Sequence, residues 1–316
     1  MSPLGIASTL FSLVSSVGSS ATESKSKSSV SANGLDFSSS LALRMASMQS
    51  QSMDSLVATV FDGKKSGGLD FLASGMSGNK FSEQLSSLGR NMSLFDPESA
   101  YRMMSNINTR DATYKAQFSE LSEMKTALAG MQQAGDSLGA LNGASDNAAI
   151  QSQLQAFATQ YNAWVSRFDN TVQKGGLLAG TQAAEVSLYE LRQSVENRVN
   201  GAMHGVKGMS DLGFSIDPKT HLASLDLGKL EAMLTKNRDG AVSAISEFSG
   251  NFAKSAELLI SSNNFVPNRL ANLDRVIDYI ADNKSSLQAE FGLGDPARMS
   301  PQVSKALAAY EQMFKV

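Results

Sequence analysis

The strongest constraint in this sequence is a run of apolar residues spaced by steps of four and three between positions 150 and 172. Its members are Ile150, Leu154, Phe157, Tyr161, Trp164, Phe168 and Val172. Because an α-helix turns once every 3.6 residues, these steps place every member on one side of a helix. Such a seam of apolar residues predicts a helix that packs lengthwise against another helix.

A second helix is predicted before this one. Asp96, Pro97 and Glu98 form a favourable helix start, with an acidic N-cap, a proline in the first helical position and an acid in the first turn. The apolar residues that follow are Ile107, Tyr114, Phe118, Leu121, Met124, Leu128 and Met131. Their spacing predicts a stem helix that ends among the glycines at positions 135, 139 and 143.

Further helices are predicted on the carboxy-terminal side. One begins near Thr181, with an apolar side of Leu188, Leu191, Val195 and Val199. Another has the apolar side Val242, Ile245, Phe248 and Phe252. A second seam consists of Leu270, Leu273, Ile277, Ile280, Lys284, Leu287 and Phe291, and the spacing resumes at Val303, Leu307, Tyr310 and Phe314. The stem over 107–131 and the region 270–314 could pack antiparallel within one chain, or each could pack against a partner.

One stretch has a different period. In "LGFSIDPKTHLASLDLGKLEAML", residues 212–234, the apolar Leu212, Phe214 and Ile216 alternate with other residues, which is typical of a strand. A four-residue turn from Asp217 and the return strand "HLASL" complete a hairpin over 212–225. Asp226 then caps a helix whose apolar residues are Leu227, Leu230, Met233 and Leu234. Because an isolated hairpin is marginal in water, we expect the Phe214 and Ile216 face to pack on the helices.

The first part of the chain has a different composition. Fifteen of residues 1–40 are serine, and no Lys or Arg precedes Lys25. This composition predicts a disordered region over 1–95, with one helix between Ser39 and Val60, followed by a folded region over 96–316. The first residues are either a disordered tail with a weak amphipathic helix or an export signal for a type III apparatus. The predicted fold class is mainly α, an elongated helical bundle or coiled coil with one small β-hairpin.

Composition excludes several classes of function. The chain has no cysteine, so it has no disulfide, no thiolate zinc site and no cysteine nucleophile. The net charge is −3 without a basic stripe, and we expect no nucleic-acid partner. No run is long and apolar enough to predict a membrane span. His204 and His221 lie in predicted loop and hairpin positions, so we expect no catalytic, cofactor-binding or metal-ligating residues, and no enzyme.

Several segments of this chain follow one another in a recognisable order. "YKAQFSELSEMKTALAGMQQA" lies in the stem, "FATQYNAW" lies in the second helix, and "GGLLAGTQAAEVSLYELRQSV" follows. The hairpin stretch supplies Leu212, Gly213, Leu225, Asp226, Lys229 and Leu230, and "NRDGAVSAISEF" comes after it. "NGLDFSSSL" stands near the start. In this order, over roughly 105–292, the chain resembles the flagellar hook-associated protein 2 family, the filament cap proteins, with Thr181 where that family usually has Asp.

The chain also departs from that family. A large β-rich head follows the stem in the family, whereas only "GALNGASDN", residues 139–147, separates the stem from the next helix here. The chain is therefore similar to a short, headless relative, and the last helix resembles the family's only loosely.

The resemblance implies a structural flagellar component, exported by the flagellar type III apparatus to the cell exterior. Its implied partners are other copies of itself, flagellin or other axial proteins, and an export chaperone. A cytosolic helical scaffold or export adaptor from the same family is the alternative. The candidate interface residues are Tyr114, Phe118, Leu121, Leu128, Leu273, Ile277, Ile280, Tyr310 and Phe314.

Overall fold

The computed structural model describes residues 85–314. The disorder and export signal predicted for the first part of the chain, and the helix between Ser39 and Val60, lie outside the described residues. Within the described range, helices dominate and one antiparallel pair of strands is present. The predicted mainly α fold with one hairpin is confirmed. Across the same range, no helix combines the length and apolarity that crossing a membrane requires.

The longest helix, α1, spans Pro97–Leu138 and is roughly 60 Å long. Asp96 caps its start, since its carboxylate accepts a hydrogen bond from the Ser99 amide at 3.0 Å. The helix ends at Gly139, whose amide donates to the carbonyl of Asp136. The predicted start is confirmed, whereas the first of the glycines expected to end the helix lies inside it.

Helix α2 spans Asn147–Val172 and is capped by Asp146. A short loop joins it to α1, and Arg167 near its end bonds to Glu120, so the two helices run antiparallel. The predicted seam is confirmed, because its first six members are each at most 4% exposed: Ile150, Leu154, Phe157, Tyr161, Trp164 and Phe168.

Helix α3 spans Gln182–Glu196 and ends earlier than the sequence pattern predicts. Leu191 and Val195 are buried as expected. Val199 lies beyond the helix and is 70% exposed, so its predicted place on the apolar side is wrong. The reason is local, since Asn197 adopts an extended backbone and stops the helix.

Two 3₁₀ turns, Ala202–His204 and Met209–Leu212, connect α3 to the hairpin. Gly201 precedes the first turn with φ +80°, and a Cβ there would lie 2.5 Å from the side chain of Ala244. Only glycine combines this left-handed backbone with so close an approach. Leu212 lies in the second turn, so its predicted place in the first strand is wrong.

The hairpin consists of β1, Phe214–Ile216, and β2, Ala223–Leu225, paired antiparallel. The amide of Asp217 donates to the carbonyl of Leu222 at 2.9 Å, so six residues separate the strands and the predicted four-residue turn is too short. The Asp217 carboxylate also accepts from the Thr220 amide at 2.7 Å and stabilises the turn. The predicted hairpin itself is confirmed.

Helices α4, Leu227–Lys236, and α5, Arg238–Ile260, follow the hairpin. Each begins at a side-chain cap, Asp226 for α4 and Asn237 for α5. Leu227 is 40% exposed, because it lies at the first turn of α4 and outside the core. Its predicted place on the apolar side of the helix is therefore wrong.

Glycines in α1 let α5 approach it closely. A Cβ at Gly135 would lie 2.9 Å from the ring of Phe252 and 3.1 Å from the amide nitrogen of Ala253. At Gly139, a Cβ would lie 2.8 Å from the Ser249 hydroxyl. Because the later residues of α5 meet the earlier glycine of α1, the two helices run antiparallel.

Three helices form the carboxy-terminal part: α6, Phe265–Asp282, α7, Lys284–Phe291, and α8, Pro301–Met313. Asn283 interrupts the predicted second seam between α6 and α7. Lys284, at one of the seam positions, begins α7 and is exposed. Most of the apolar residues of this seam are nevertheless buried in the core, namely Leu273, Ile277, Ile280 and Leu287.

These three helices pack along α1 of the same chain. Near the start of α6, Arg269 donates to Gln117 of α1 at 3.1 Å. Near the end of α7, the Ala289 carbonyl accepts from Asn91, which precedes α1, at 2.8 Å. Helices α6 and α7 therefore run antiparallel to α1.

Helix α8 runs the other way. The Tyr101 hydroxyl, near the start of α1, donates to Asp295 before α8 at 3.0 Å. Further along both helices, the rings of Phe118 and Tyr310 lie 5.8 Å apart. Of the two arrangements that the sequence left open, the structure has packing within one chain, antiparallel for α6 and α7 but parallel for α8.

The segment before α1 packs on the turn between α7 and α8. The side chain of Asn91 is buried, and the Gly89 carbonyl accepts from the Leu293 amide at 2.9 Å. Packing thus begins before residue 95, where the sequence pattern placed the start of the folded region.

We expect Gly135→Ala to lower the free energy of unfolding by about 1–3 kcal/mol, because the added methyl group overpacks the contact with Phe252. The control is Gly130→Ala in the same helix, where a Cβ meets no neighbouring atom within 4 Å. Since alanine favours a helix over glycine, the control should raise that free energy by up to about 1 kcal/mol. Urea unfolding measures both, and equal shifts would contradict close packing of α5 at Gly135.

Candidate assembly surface

Of the nine candidate interface residues, six lie in the continuous core of this chain. Tyr114, Leu121, Leu128, Leu273, Ile277 and Ile280 are at most 8% exposed. Phe118 and Tyr310 are half-buried, and Phe314 is 46% exposed. Only these last three are accessible without opening the chain. The role of all nine in contacts between chains stays a prediction.

The three accessible residues come together at the end of α8. The ring of Phe118 lies 5.8 Å from that of Tyr310 and 5.7 Å from that of Phe314, and the last two rings are 4.6 Å apart. These separations are typical of favourable aromatic pairs. Met313 beside them is 51% exposed. We call Phe118, Tyr310, Met313 and Phe314 the C-terminal face.

Carboxylates surround the C-terminal face. Partial burial and the nearby charges of Asp274, Asp278 and Asp111 raise the pKa of the Tyr310 hydroxyl above its ordinary value. Asp274 and Asp278 are exposed one turn apart on α6, and neither forms a salt bridge with another residue in 85–314. Like charges at this spacing weaken a helix slightly. Asp111 is paired with Lys115 at 2.7 Å, so the unpaired negative charge beside the apolar face is that of Asp274 and Asp278.

A second feature is the contact that holds the hairpin on the helices, and it depends on Asn162 in α2. Its side chain donates to the Ala223 carbonyl at 2.9 Å and accepts from the Ala223 amide at 2.6 Å. These two bonds satisfy the outer edge of β2 much as a third strand would. The residue belongs to the "FATQYNAW" motif, but local spacing says nothing about this role, because its partner is 61 residues away.

The buried face of the hairpin ends in an aromatic cluster. Phe214 is 1% exposed, and its ring lies 5.7 Å from that of Phe157. Phe157 in turn contacts Phe248 at 5.3 Å and Phe252 at 4.9 Å. Ile216 is half-buried against the same core. The prediction that this face packs on the helices is confirmed.

Arg167 joins α2 to α1 by charge. Its guanidinium donates to Glu120 at 2.6 Å and to Glu123 at 2.7 Å. The hydrogen bond to Glu120 raises the pKa of Arg167, and the bond to Glu123 raises it to a smaller extent, although partial burial of the guanidinium acts in the opposite direction. Glu120 is only 7% exposed, and Arg167 supplies the charge that compensates its buried carboxylate.

The two histidines lie in a 3₁₀ turn and in the hairpin turn. His204 is exposed, and His221 lies in the hairpin turn with Nδ1 3.6 Å from the Asp169 carboxylate. Among the residues from 85 to 314, no group of three or more His, Cys, Asp or Glu side chains is arranged to hold a metal ion.

A comparison with protein families finds a match within the packed region. A model of the C-terminus of flagellar hook-associated protein 2 matches residues 131–293, about half of the chain. This range contains Asn162, the hairpin and the aromatic cluster around Phe214. No curated protein matches the chain.

One solved structure is similar in part. It holds the D1–D2–D3 domains of the flagellar cap protein FliD from Escherichia coli, with 19% sequence identity and a TM-score of 0.36. The similarity covers 40% of this chain and 37% of that one, so the chain spans little more than a third of its length. A similarity this weak does not establish a common fold.

We expect Asn162→Asp to lower the free energy of unfolding by about 1–3 kcal/mol, because the Ala223 carbonyl loses its donor and faces a carboxylate. Asn142→Asp is the control, since it makes the same charge change in the exposed loop before α2, keeps its acceptor for the Ala144 amide and loses only a long, exposed bond of 3.4 Å to the Ala140 carbonyl. Urea unfolding gives the free energies, and hydrogen exchange of the Ala223 amide reports the hairpin edge. Equal effects of the two substitutions would remove Asn162 from this role.

Proposed function

The chain belongs to the flagellar hook-associated protein 2 family, and from this premise we propose that it is a structural component of the bacterial flagellum that acts at the filament cap. The match over residues 131–293 supports this proposal most directly. It covers the part of the chain in which the hairpin is fixed to the helices by Asn162 and Phe214. Such a role requires neither catalysis nor a cofactor.

The chain acts by self-assembly and by contact with flagellin or other axial proteins. Its long seams are already filled by its own helices, so these contacts use exposed surfaces such as the C-terminal face. Residues 96–316 form the assembling body, and the serine-rich region over 1–95 serves export through the flagellar type III apparatus, with an export chaperone as a partner. The working location is the cell exterior, on the flagellum.

One observation favours a second candidate, a cytosolic scaffold or export adaptor. Only residues 139–146 separate α1 from α2, where the family's β-rich head would follow the stem. A chain without that head keeps the helical body and can act inside the cell.

Export separates the two candidates. The chain is expressed in cells with a working flagellar export apparatus and in cells without one, and it is quantified in culture supernatant, sheared filaments and cell pellets. A flagellar component should reach the supernatant and filaments only when the apparatus works. A cytosolic protein in the same cultures controls for lysis.

If the chain stays in the pellet of both strains, the extracellular proposal is wrong and the cytosolic candidate holds. If it is exported but never sediments with filaments, the cap role is wrong.

A further inference from the structure

The loop between α3 and the hairpin carries exposed apolar and basic side chains side by side. Val199 is 70% exposed and Met203 is 91% exposed. Arg198 and Lys207 flank them and are also exposed. We call these four residues the knob. Large apolar side chains this open to water favour contact with another surface.

The backbone of the knob is fixed before any partner arrives. The Gly201 amide donates to Glu247 of α5 at 2.7 Å, and Asn237 donates to the His204 carbonyl at 2.9 Å. Val206 in the same loop is fully buried. A surface held in place in the free protein loses less conformational entropy on binding, so a rigid loop suits docking.

The knob and the C-terminal face are complementary. The knob offers two cations beside two apolar side chains, and the face offers aromatic rings and Met313 beside Asp274 and Asp278. Arg275 lies on α6 with these two carboxylates but does not pair with them, because its guanidinium donates to Asn272 instead. Complementary charges around an apolar contact fix its orientation and speed association.

One chain cannot join its own two surfaces. Gly201, in the loop that carries the knob, lies against Ala244 of α5. This position is beyond the end of α1, because Ser249, five residues later in the antiparallel α5, contacts Gly139 there. The C-terminal face includes Phe118, near the middle of α1. From Phe118 to Gly139 the axis of a helix rises by about 30 Å. The complementary partner of each surface must therefore come from a second copy.

We propose that the knob of one copy docks on the C-terminal face of the next copy, head to tail. This inference rests on the proposed function, because it names the surfaces through which the chain assembles with itself. Since the two surfaces differ, the contact is heterologous. A heterologous contact builds a ring or a helical array rather than a closed dimer.

Charge reversal tests the pairing in the full chain. One variant carries Arg198→Glu and Lys207→Glu in the knob, and the other carries Asp274→Lys and Asp278→Lys beside the face. Each variant alone should associate at least about tenfold more weakly than the wild type, because like charges then oppose one another. An equimolar mixture should recover association, since the intact knob of one variant meets the intact face of the other.

Sedimentation velocity measures the association at several protein concentrations, and circular dichroism checks that each variant is folded. The matched control is Lys125→Glu with Lys229→Glu, which makes the same charge change as the knob variant at exposed positions outside both surfaces. It should associate like the wild type. Added salt should weaken the wild-type assembly, because exposed charges are screened.

The possible failures are distinguishable. If the wild type assembles and both reversed variants assemble equally well, the named surfaces are wrong and the proposed function stands. If each variant is weakened but their mixture does not recover, the two surfaces do not pair with each other. If the wild type remains monomeric at every concentration, self-assembly is wrong and this inference falls with it, whereas the export experiment still decides the flagellar role.

Discussion

The burial of one side of helix α1 from Met104 to Leu138 is the constraint on which the rest of the structure depends. In a protein, most of the stability of a helix comes from tertiary packing of its apolar side rather than from intrinsic propensity, and α1 buries such a side. Here α2 and α5 pack on its later part, while α6, α7 and α8 pack on its earlier part. Every other element is positioned by contact with this helix or with one that touches it.

Different means secure these contacts at different levels of α1. Near its end, glycine at position 135 lets α5 approach to van der Waals contact. Near its middle, Arg167 pairs with the buried Glu120 and so fixes the register of α2. Because a buried carboxylate without its partner is costly, this pair specifies the alignment even if its net contribution to stability is small.

The burial of α1 also decides which surfaces remain for other molecules. A seam that is filled within one chain cannot bind a partner unless a helix leaves, and leaving would expose residues such as Leu273 and Ile277. Two surfaces stay exposed: the C-terminal face, which includes Phe118 near the middle of α1, and the knob, whose loop lies against Ala244 beyond the end of α1. A structural role in a polymer therefore requires no unfolding of the body.

Local patterns in the sequence predict much of the fold. The seam of α2 follows from its period, and the starts of α1 and α4 follow from Asp96 and Asp226, because caps and periodicity act within a few residues. The hairpin follows from alternation around a proline turn. These features depend on neighbours in sequence, so one sequence suffices to find them.

Other features depend on distant residues and leave no local signal. The bonds of Asn162 to β2, the pairing of Arg167 with Glu120 and the exposure of Val199 each follow from tertiary packing. The same holds for the seam of α6, whose spacing is equally suited to a partner within the chain or outside it. The knob is likewise invisible in the sequence, since nothing local says that Met203 faces solvent while Val206 is buried.

The central claim is that α1 is covered by helices of its own chain. Hydrogen exchange of the full chain, measured across a range of protein concentrations, tests it most directly. Amides from Tyr114 to Met131 should be as protected in the dilute monomer as in concentrated solution, because their covering helices are intramolecular. If these amides exchange freely in the monomer and gain protection only as the chain associates, the helices that cover α1 come from other copies and the account is wrong.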